Sequence, residues 1–186
     1  MNKKLLVIKG SSRIDSFTNL LWQEAVKEFS DTETIVFDAC LEKFSFCNGC
    51  NFCENNGKCI HRDLDGFYNN FENADVIIFA SPIYNGGFSA PMKALIDRFQ
   101  VYYTSFYKNN KVQPIKKHRK GILLVAAGRK GEEALADMEK NLKCAFTILN
   151  AELTGSVLCA YTDSDPQYEN ALKELKMVLK RSLSDE

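Results

Sequence analysis

The sequence has no long hydrophobic run: its longest apolar stretches, residues 76–80 and 122–127, fall far short of the ~20 residues that cross a bilayer. It also lacks an excess of either charge, with 24 Lys and Arg against 24 Asp and Glu in 186 residues. No global field therefore favours nucleic acid, an anionic membrane or acidic substrates, and whatever the chain binds is recognised locally. Only 4 Pro and 10 Gly, with 11% aromatic residues, exclude the disordered and collagen-like classes. The opening MNKKLLVIKGSS places four apolar residues in a row and no small-residue cleavage site before polar sequence resumes. It does not read as a signal peptide, and a cytoplasmic location is expected. Length and a 45% hydrophobic content fit one domain over residues 1–186 with a real core.

Cysteine is the exception to this scarcity. Seven are present, an odd number in a chain without an export signal, which argues against a disulfide framework and for thiols or metal ligation.

Short β-branched runs alternate with longer segments of helical period. Residues 5–9, 33–37, 75–80, 121–127 and 152–160 read as strands, and four of them hold consecutive apolar residues, as strands covered on both faces do. Helical patterns occupy residues 16–30, 63–73, 90–107, 131–150 and 167–183. Five strands alternating with five helices imply an α/β, doubly wound sheet in three layers. The third helix carries Met92, Leu95, Ile96 and Phe99, then Tyr102, Tyr103, Phe106 and Tyr107; it reads as a core-facing stripe, with a subunit interface as the competing reading. The last helix sets Leu172, Leu175, Leu179 and Leu183 against Lys173, Lys176, Lys180 and Arg181, an ordinary amphipathic pattern. Cys40, Cys144 and Cys159 lie in or beside these elements and are expected to be buried small apolar residues. The basic run at residues 108–120 precedes a strand and reads as a solvated connection rather than a nucleic-acid surface.

Two loops carry chemistry at strand ends. The first strand runs into GSSRIDSFTN, residues 10–19, where free backbone N–H groups and hydroxyls at a helix start stabilise a phosphate, and Arg13 offers a charge-assisted contact. Plain capping by Asp15, Ser16 or Thr18 is the alternative on these residues alone. The spacing fits neither GxGxxG nor GxxxxGK[ST], so a single phosphomonoester suits it better than a dinucleotide or a nucleoside triphosphate. The third strand runs into SPIYNGG, residues 81–87. Pro82 stiffens that turn, Tyr84 offers an aromatic face, and Gly86 and Gly87 let the backbone approach a flat ligand; a plain turn is again the alternative. In an open α/β sheet such loops share the crevice at the strand carboxyl ends. The fourth strand ends there too, in Ala126, Ala127, Gly128 and Arg129, with no bulk to block a planar ring.

Residues 44–62 break the rhythm with a segment lacking periodicity, too long for a simple connection and so expected to be functional. It reads CNGCNFCENNGKC and places Cys47, Cys50, Cys53 and Cys59 at spacings of two, two and five intervening residues. Three thiolates two residues apart with a fourth nearby typify ligation of a 4Fe–4S cluster, whereas zinc sites prefer two CxxC knuckles farther apart. His61 is an alternative ligand or redox neighbour, although a lone loop His is usually just solvated.

GSSRxxSxT, then SPIYNGGFSAPMKALIDR, then the small-residue loop after the fourth strand resemble the flavodoxin-like NAD(P)H-dependent FMN reductase superfamily over nearly the whole chain. The cysteine loop resembles that of its iron-sulfur flavoprotein branch, although CNGC…GKCIHRD also fits flavodoxin-like reductases that carry no assigned cluster. The resemblance implies a flavodoxin-like sheet of order 2-1-3-4-5 holding FMN. It assigns the FMN phosphate to Ser11, Arg13, Ser16 and Thr18, the ribityl and isoalloxazine to Pro82, Ile83, Tyr84 and Asn85, and Gly128 to the ring edge. Ser12 and Phe17 depart from the residues common in the family, Pro and Asn. NAD(P)H is the implied electron donor, a small molecule or protein the acceptor, and a homodimer or homotetramer the assembly; no nucleic acid or membrane partner is implied. Cysteines 47, 50, 53 and 59 then hold a cluster or stay bare thiols. The reading from a different class is a non-enzymatic module with structural zinc, or with an unliganded loop and an empty crevice.

Overall fold

The computed structural model describes residues 3–183. In chain order its elements are β1 (Lys4–Lys9), α1 (Phe17–Lys27), β2 (Glu33–Asp38), α2 (Phe52–Asn56), α3 (Asp65–Asn73), β3 (Val76–Tyr84), β4 (Gly87–Phe88), α4 (Ala90–Asp97), α5 (Gln100–Lys108), β5 (Arg119–Ala126), α6 (Glu132–Leu149), β6 (Ala151–Cys159) and α7 (Tyr168–Leu183). The strands pair in the order β2-β1-β3-β5-β6, all parallel, with β4 attached antiparallel to the end of β3. Without that short sixth strand the order is the expected 2-1-3-4-5. No helix among the described residues is long and apolar enough to cross a membrane.

Alternation along the strands builds two cores. Leu6, Ile8, Ile77, Phe79, Leu123 and Val125 point toward α3, α4, α5 and α6, while Leu5, Val7, Ile78, Leu124 and Val157 point toward α1 and α7. With both faces covered, every side chain of a central strand is available for burial, which is why these strands read as unbroken apolar runs. Each fully buried large aliphatic or aromatic residue contributes about 1.5–3 kcal/mol. The helix ends follow local rules. Ser16 caps α1 by accepting from the Asn19 amide, Pro91 occupies the first turn of α4, and Asn150 ends α6 at φ 49° while its side-chain amide donates to the carbonyls of Ile115 and Lys116.

Four expectations are corrected. The third predicted helix is two: the amides of Arg98 and Phe99 bond only three residues back, to Leu95 and Ile96, and the chain turns between α4 and α5. The aromatic stripe divides accordingly, with Phe99, Tyr102 and Phe106 buried and Tyr103 and Tyr107 43% and 51% exposed. Within the basic run Arg119 is buried; its guanidinium donates to the carbonyls of Phe71 and Leu149 and lies 4.6 Å from the centre of the Phe71 ring. Burial lowers its pKa to about 10. Cys144 is exposed because α6 turns Met138, Leu142, Phe146 and Leu149 inward instead, whereas Cys159 is buried and Cys40 partly so.

A bulge between β5 and β6 was not foreseen. Gly121 pairs with Leu153 but Ile122 with Gly155, leaving Thr154 to donate its hydroxyl to the Gly121 carbonyl. Gly121 is also where α6 comes nearest the sheet: a Cβ there would lie 2.2 Å from Cε2 of the buried Phe146 ring. Gly121→Ala is therefore expected to cost about 1–3 kcal/mol through overpacking, read as a lower urea midpoint at unchanged slope. An unchanged midpoint would contradict this packing.

Candidate functional site

The first loop hangs between β1 and α1 and is tied to its neighbour. The Gly10 amide donates to the Ala80 carbonyl at 2.8 Å and the Gly10 carbonyl accepts from Ser89 Oγ at 2.7 Å. A Cβ on Gly10 would sit 2.9 Å from that hydroxyl, so only glycine permits this approach. Ser11 is buried and donates to Ser16 Oγ at 3.0 Å. Asn19, in the first turn of α1, sends its side-chain amide back to the carbonyls of Arg13 and Ile14 at 2.7 and 3.0 Å and accepts from Trp22 Nε1 at 3.0 Å. Two carbonyls of the loop are thus occupied by one side chain. Thr18 is fully buried and its hydroxyl has no partner, while Arg13 is exposed at the rim.

β3 runs four residues farther than its sequence pattern suggests, through Ser81, Pro82 and Ile83 to Tyr84, and returns as β4. The connection is the pair Asn85 and Gly86, with φ of 50° and 79°. Two left-handed residues between antiparallel partners Tyr84 and Gly87 make the tight hairpin that an Asn-Gly pair favours. Ser81 Oγ accepts from the Ser89 amide at 3.1 Å, so the hairpin and the first loop are held through the same serine, Ser89. Gly131, after β5, packs closely on Ile83 and Ala127. Behind it, the Asp163 carboxylate fills the space a Cβ on Gly128 would need. Ser11, Ser16, Asn85, Gly86 and Gly128 therefore lie on connections after the adjacent strands β1, β3 and β5, with Thr18 in the first turn of α1 and Pro82, Ile83 and Tyr84 in the last residues of β3.

The cysteine segment closes on a buried arginine. Arg98, 2% exposed, donates through Nη1 to the Ser45 carbonyl at 2.5 Å and through Nη2 to the His61 carbonyl at 3.0 Å and Asp63 Oδ1 at 2.8 Å. Asp63 Oδ2 accepts the Ser45 amide at 2.7 Å, so both ends of the loop meet at one ion pair. Partial burial raises the Asp63 carboxyl, but the hydrogen bonds from Arg98 and the Ser45 amide and the charge of Arg98 outweigh it, leaving the group below its ordinary value. Tyr68 donates to the Arg98 carbonyl at 3.1 Å, and burial pushes its phenol up to about 12. Inside the loop Gly49, Asn51 and Gly57 take left-handed conformations; those at Asn51 and Gly57 bracket α2. The turns bring Cys47, Cys50, Cys53 and Cys59 around one small pocket of about 30 Å3 that His61 and Arg98 also line. All four are free thiols.

These residues can be tested against the two groups that the family resemblance implies. The hydroxyls of Ser11 and Ser16, paired with each other before the first turn of α1, are of the type that suits a phosphate at a helix start. The donor set of four thiols suits an iron–sulfur cluster. Among the described residues no three His, Cys, Asp or Glu side chains are close enough to hold a single metal ion; a cuboidal cluster spreads its ligands farther apart than one ion does. Sequence reasoning held Asn19, Ser89 and Arg98 within its motifs but missed what each does. An Asn three residues into a capped helix was an available signal. Arg98 was legible only as the last residue of SPIYNGGFSAPMKALIDR, because its partners lie 35 to 53 residues away.

A family model described as NADPH-dependent FMN reductase matches residues 3–156. An iron-sulfur flavoprotein of Methanocaldococcus jannaschii is 36% identical over 131 residues, 69% of this chain and 64% of that protein. An iron-sulfur flavoprotein of Methanosarcina thermophila is 36% identical over 100 residues, 51% of each chain. The match thus spans just under two thirds of one relative's length and about half of the other's. Among solved structures, an NAD(P)H:quinone oxidoreductase from Methanothermobacter marburgensis superposes with a TM-score of 0.74 at 14% identity, over 100% of this chain and 98% of that one. An azoreductase from Bacillus anthracis gives 0.64 at 16%, over 97% and 96%. At these identities the superpositions show a shared fold.

Asn19→Ala removes three hydrogen bonds and frees two carbonyls beside Ser11 and Ser16. The expected loss is about 1–3 kcal/mol of stability, read by urea unfolding, with faster amide exchange at residues 11–16. Unchanged exchange there would show that the capping serine holds the loop alone.

Proposed function

The chain belongs to the NADPH-dependent FMN reductase family, and from that membership we propose that it is an FMN-dependent oxidoreductase of the iron-sulfur flavoprotein type. In this reading residues 1–186 form one FMN-binding unit with the cysteine loop inserted at about residues 44–62, and the protein works in the cytoplasm. The observation that carries the FMN assignment is the family match over residues 3–156, together with Thr18 standing in the first turn of α1, where a helix start favours a phosphate. Ser11 and Ser16 supply further hydroxyls, and Arg13 at the rim closes on the phosphate from the solvent side. The hairpin at Pro82, Ile83, Tyr84 and Asn85, with Gly86, borders the ribityl and ring, and Gly128 lies near the ring.

Held by these residues, FMN would supply hydride and single-electron chemistry between NAD(P)H and an acceptor. The work left to the protein is orientation and exclusion of water, so no side chain needs to act as acid or base. Pro82, already buried, and the hairpin held by Ser89 keep the flavin platform rigid. Cys47, Cys50, Cys53 and Cys59 hold the 4Fe–4S cluster. Support for that ligand set is their convergence on one pocket as free thiols and the likeness to proteins named iron-sulfur flavoproteins. A homodimer or homotetramer accords with Tyr103 and Tyr107, exposed and 4.6 Å apart between ring centres, although the rest of the aromatic stripe is consumed inside the chain.

Protein purified and reconstituted anaerobically is expected to release FMN rather than FAD on heating, about one per chain, and to hold about four iron and four sulfide. Arg13→Ala is expected to weaken FMN binding by about 1.5–3 kcal/mol, measured by flavin fluorescence titration. Failure to bind either flavin overturns the oxidoreductase reading; stoichiometric zinc overturns the cluster while leaving a plain FMN reductase.

A further inference from the structure

Arg98 makes more side-chain contacts with the cysteine loop than its place at the end of α4 requires. Its guanidinium reaches the loop before the first cysteine, at Ser45, and after the last, at His61 and Asp63. It is 2% exposed, lines the pocket shared by the four cysteines, and its Nε–H is buried with no partner. A surface ion pair would need none of this. A buried cation with one carboxylate partner and a leftover donor is costly unless something else in its surroundings accepts that donor and adds negative charge.

We propose that Arg98 is the positioning residue of the cysteine site, clamping both ends of the loop and setting a fixed buried cation against the anionic ligand set of Cys47, Cys50, Cys53 and Cys59. The second half of this proposal rests on the reading of those cysteines as cluster ligands; the clamp does not. The planar fork explains why arginine is used. Three acceptors from two loop ends are met in one plane, with Nε–H to spare, whereas lysine offers a point charge that cannot bridge them. The electrostatic consequence has a definite sign. Reduction adds one electron to an already anionic site, so a buried positive charge nearby favours the reduced form and raises the reduction potential. Asp63 acts on the clamp from the other side, since its carboxylate accepts from Arg98 and from the Ser45 amide.

Two readouts on the full chain test the two halves. In reduced, chelator-treated protein, Asp63→Asn and Arg98→Lys are expected to speed amide exchange across residues 46–60 at least tenfold while leaving β3 and β5 unchanged. In anaerobically reconstituted protein, Arg98→Gln is expected to shift the cluster tenfold toward its oxidised form, about 59 mV lower for a one-electron couple, with Arg98→Lys restoring most of the potential. Asp63→Asn, which keeps the cation and removes an anion, is expected not to lower it. Exchange that stays slow in folded Asp63→Asn protein overturns the clamp, and this variant decides the matter if the Arg98 variants do not fold. A potential unchanged in iron-loaded Arg98→Gln protein overturns the electrostatic role, as a merely structural arginine would. Wild-type protein that takes up no iron overturns the cluster reading and the electrostatic role together, while the exchange result still decides the clamp.

Discussion

The Arg98–Asp63 ion pair is the constraint on which the cysteine loop of this molecule depends. The stretch between Ser45 and Asp63 contains one helix of 5 residues and buries little of its own, so nothing within it defines a path. Its closure is imposed at the base, where one guanidinium and one carboxylate fix both ends within hydrogen-bond distance. Closing a loop of this length costs chain entropy that grows only slowly with length, and a paired, largely desolvated clamp offsets it where an exposed pair would contribute little. The same arginine marks the break between α4 and α5. The turn there places α5 beside the cysteine loop, where Lys108 Nζ meets Asn55 Oδ1 at 2.9 Å.

The sheet supplies the other half of the arrangement. Parallel pairing of β1, β3 and β5 puts three loops on one edge, and Ser89 links the first two through its amide, to Ser81, and its hydroxyl, to Gly10. In the proposed reading these cross-linked loops border a flat, phosphorylated ligand. The polar groups left over are informative. Most buried hydroxyls in the structure are spent on neighbours, as at Ser81 and Ser89; Thr18 Oγ1 and Arg98 Nε are not. One lies at the start of α1 and the other beside the cysteine pocket; Gln113 Oε1 and Arg119 Nε are likewise unpaired and belong to neither place.

Much of this was legible in the sequence, for reasons that can be located. Strands such as β1 and β5 announced themselves because both their faces are covered, and Ser81 to Gly87 stood out because Pro82 and the glycines at 86 and 87 carry their conformational preferences with them, although the Asn85-Gly86 hairpin itself was not read. The extension of β3 to Tyr84 was hidden by Pro82, which occupies a strand end but reads as a turn. The split at Arg98 was hidden because the apolar period runs through it: Leu95, Phe99 and Tyr102 keep helical spacing while the backbone tightens between them. Arg119 looked like one more cation in a basic run, and only the carbonyls of Phe71 and Leu149, 48 and 30 residues away, make it part of the core. Long-range polar bonds of this kind leave no local trace, so Arg98, the residue that organises the cysteine loop, was read as a motif member and not as a centre.

Diffraction from anaerobically grown crystals, with data collected on both sides of the iron absorption edge, decides whether one chain holds both FMN at the strand ends and an iron–sulfur cluster in the loop that Arg98 closes. The expected result is one iron peak per chain enclosed by Cys47, Cys50, Cys53 and Cys59, together with flavin density whose phosphate contacts Thr18. Iron-free crystals with the four sulfurs unliganded, or a phosphate loop with no flavin beside it, would contradict it.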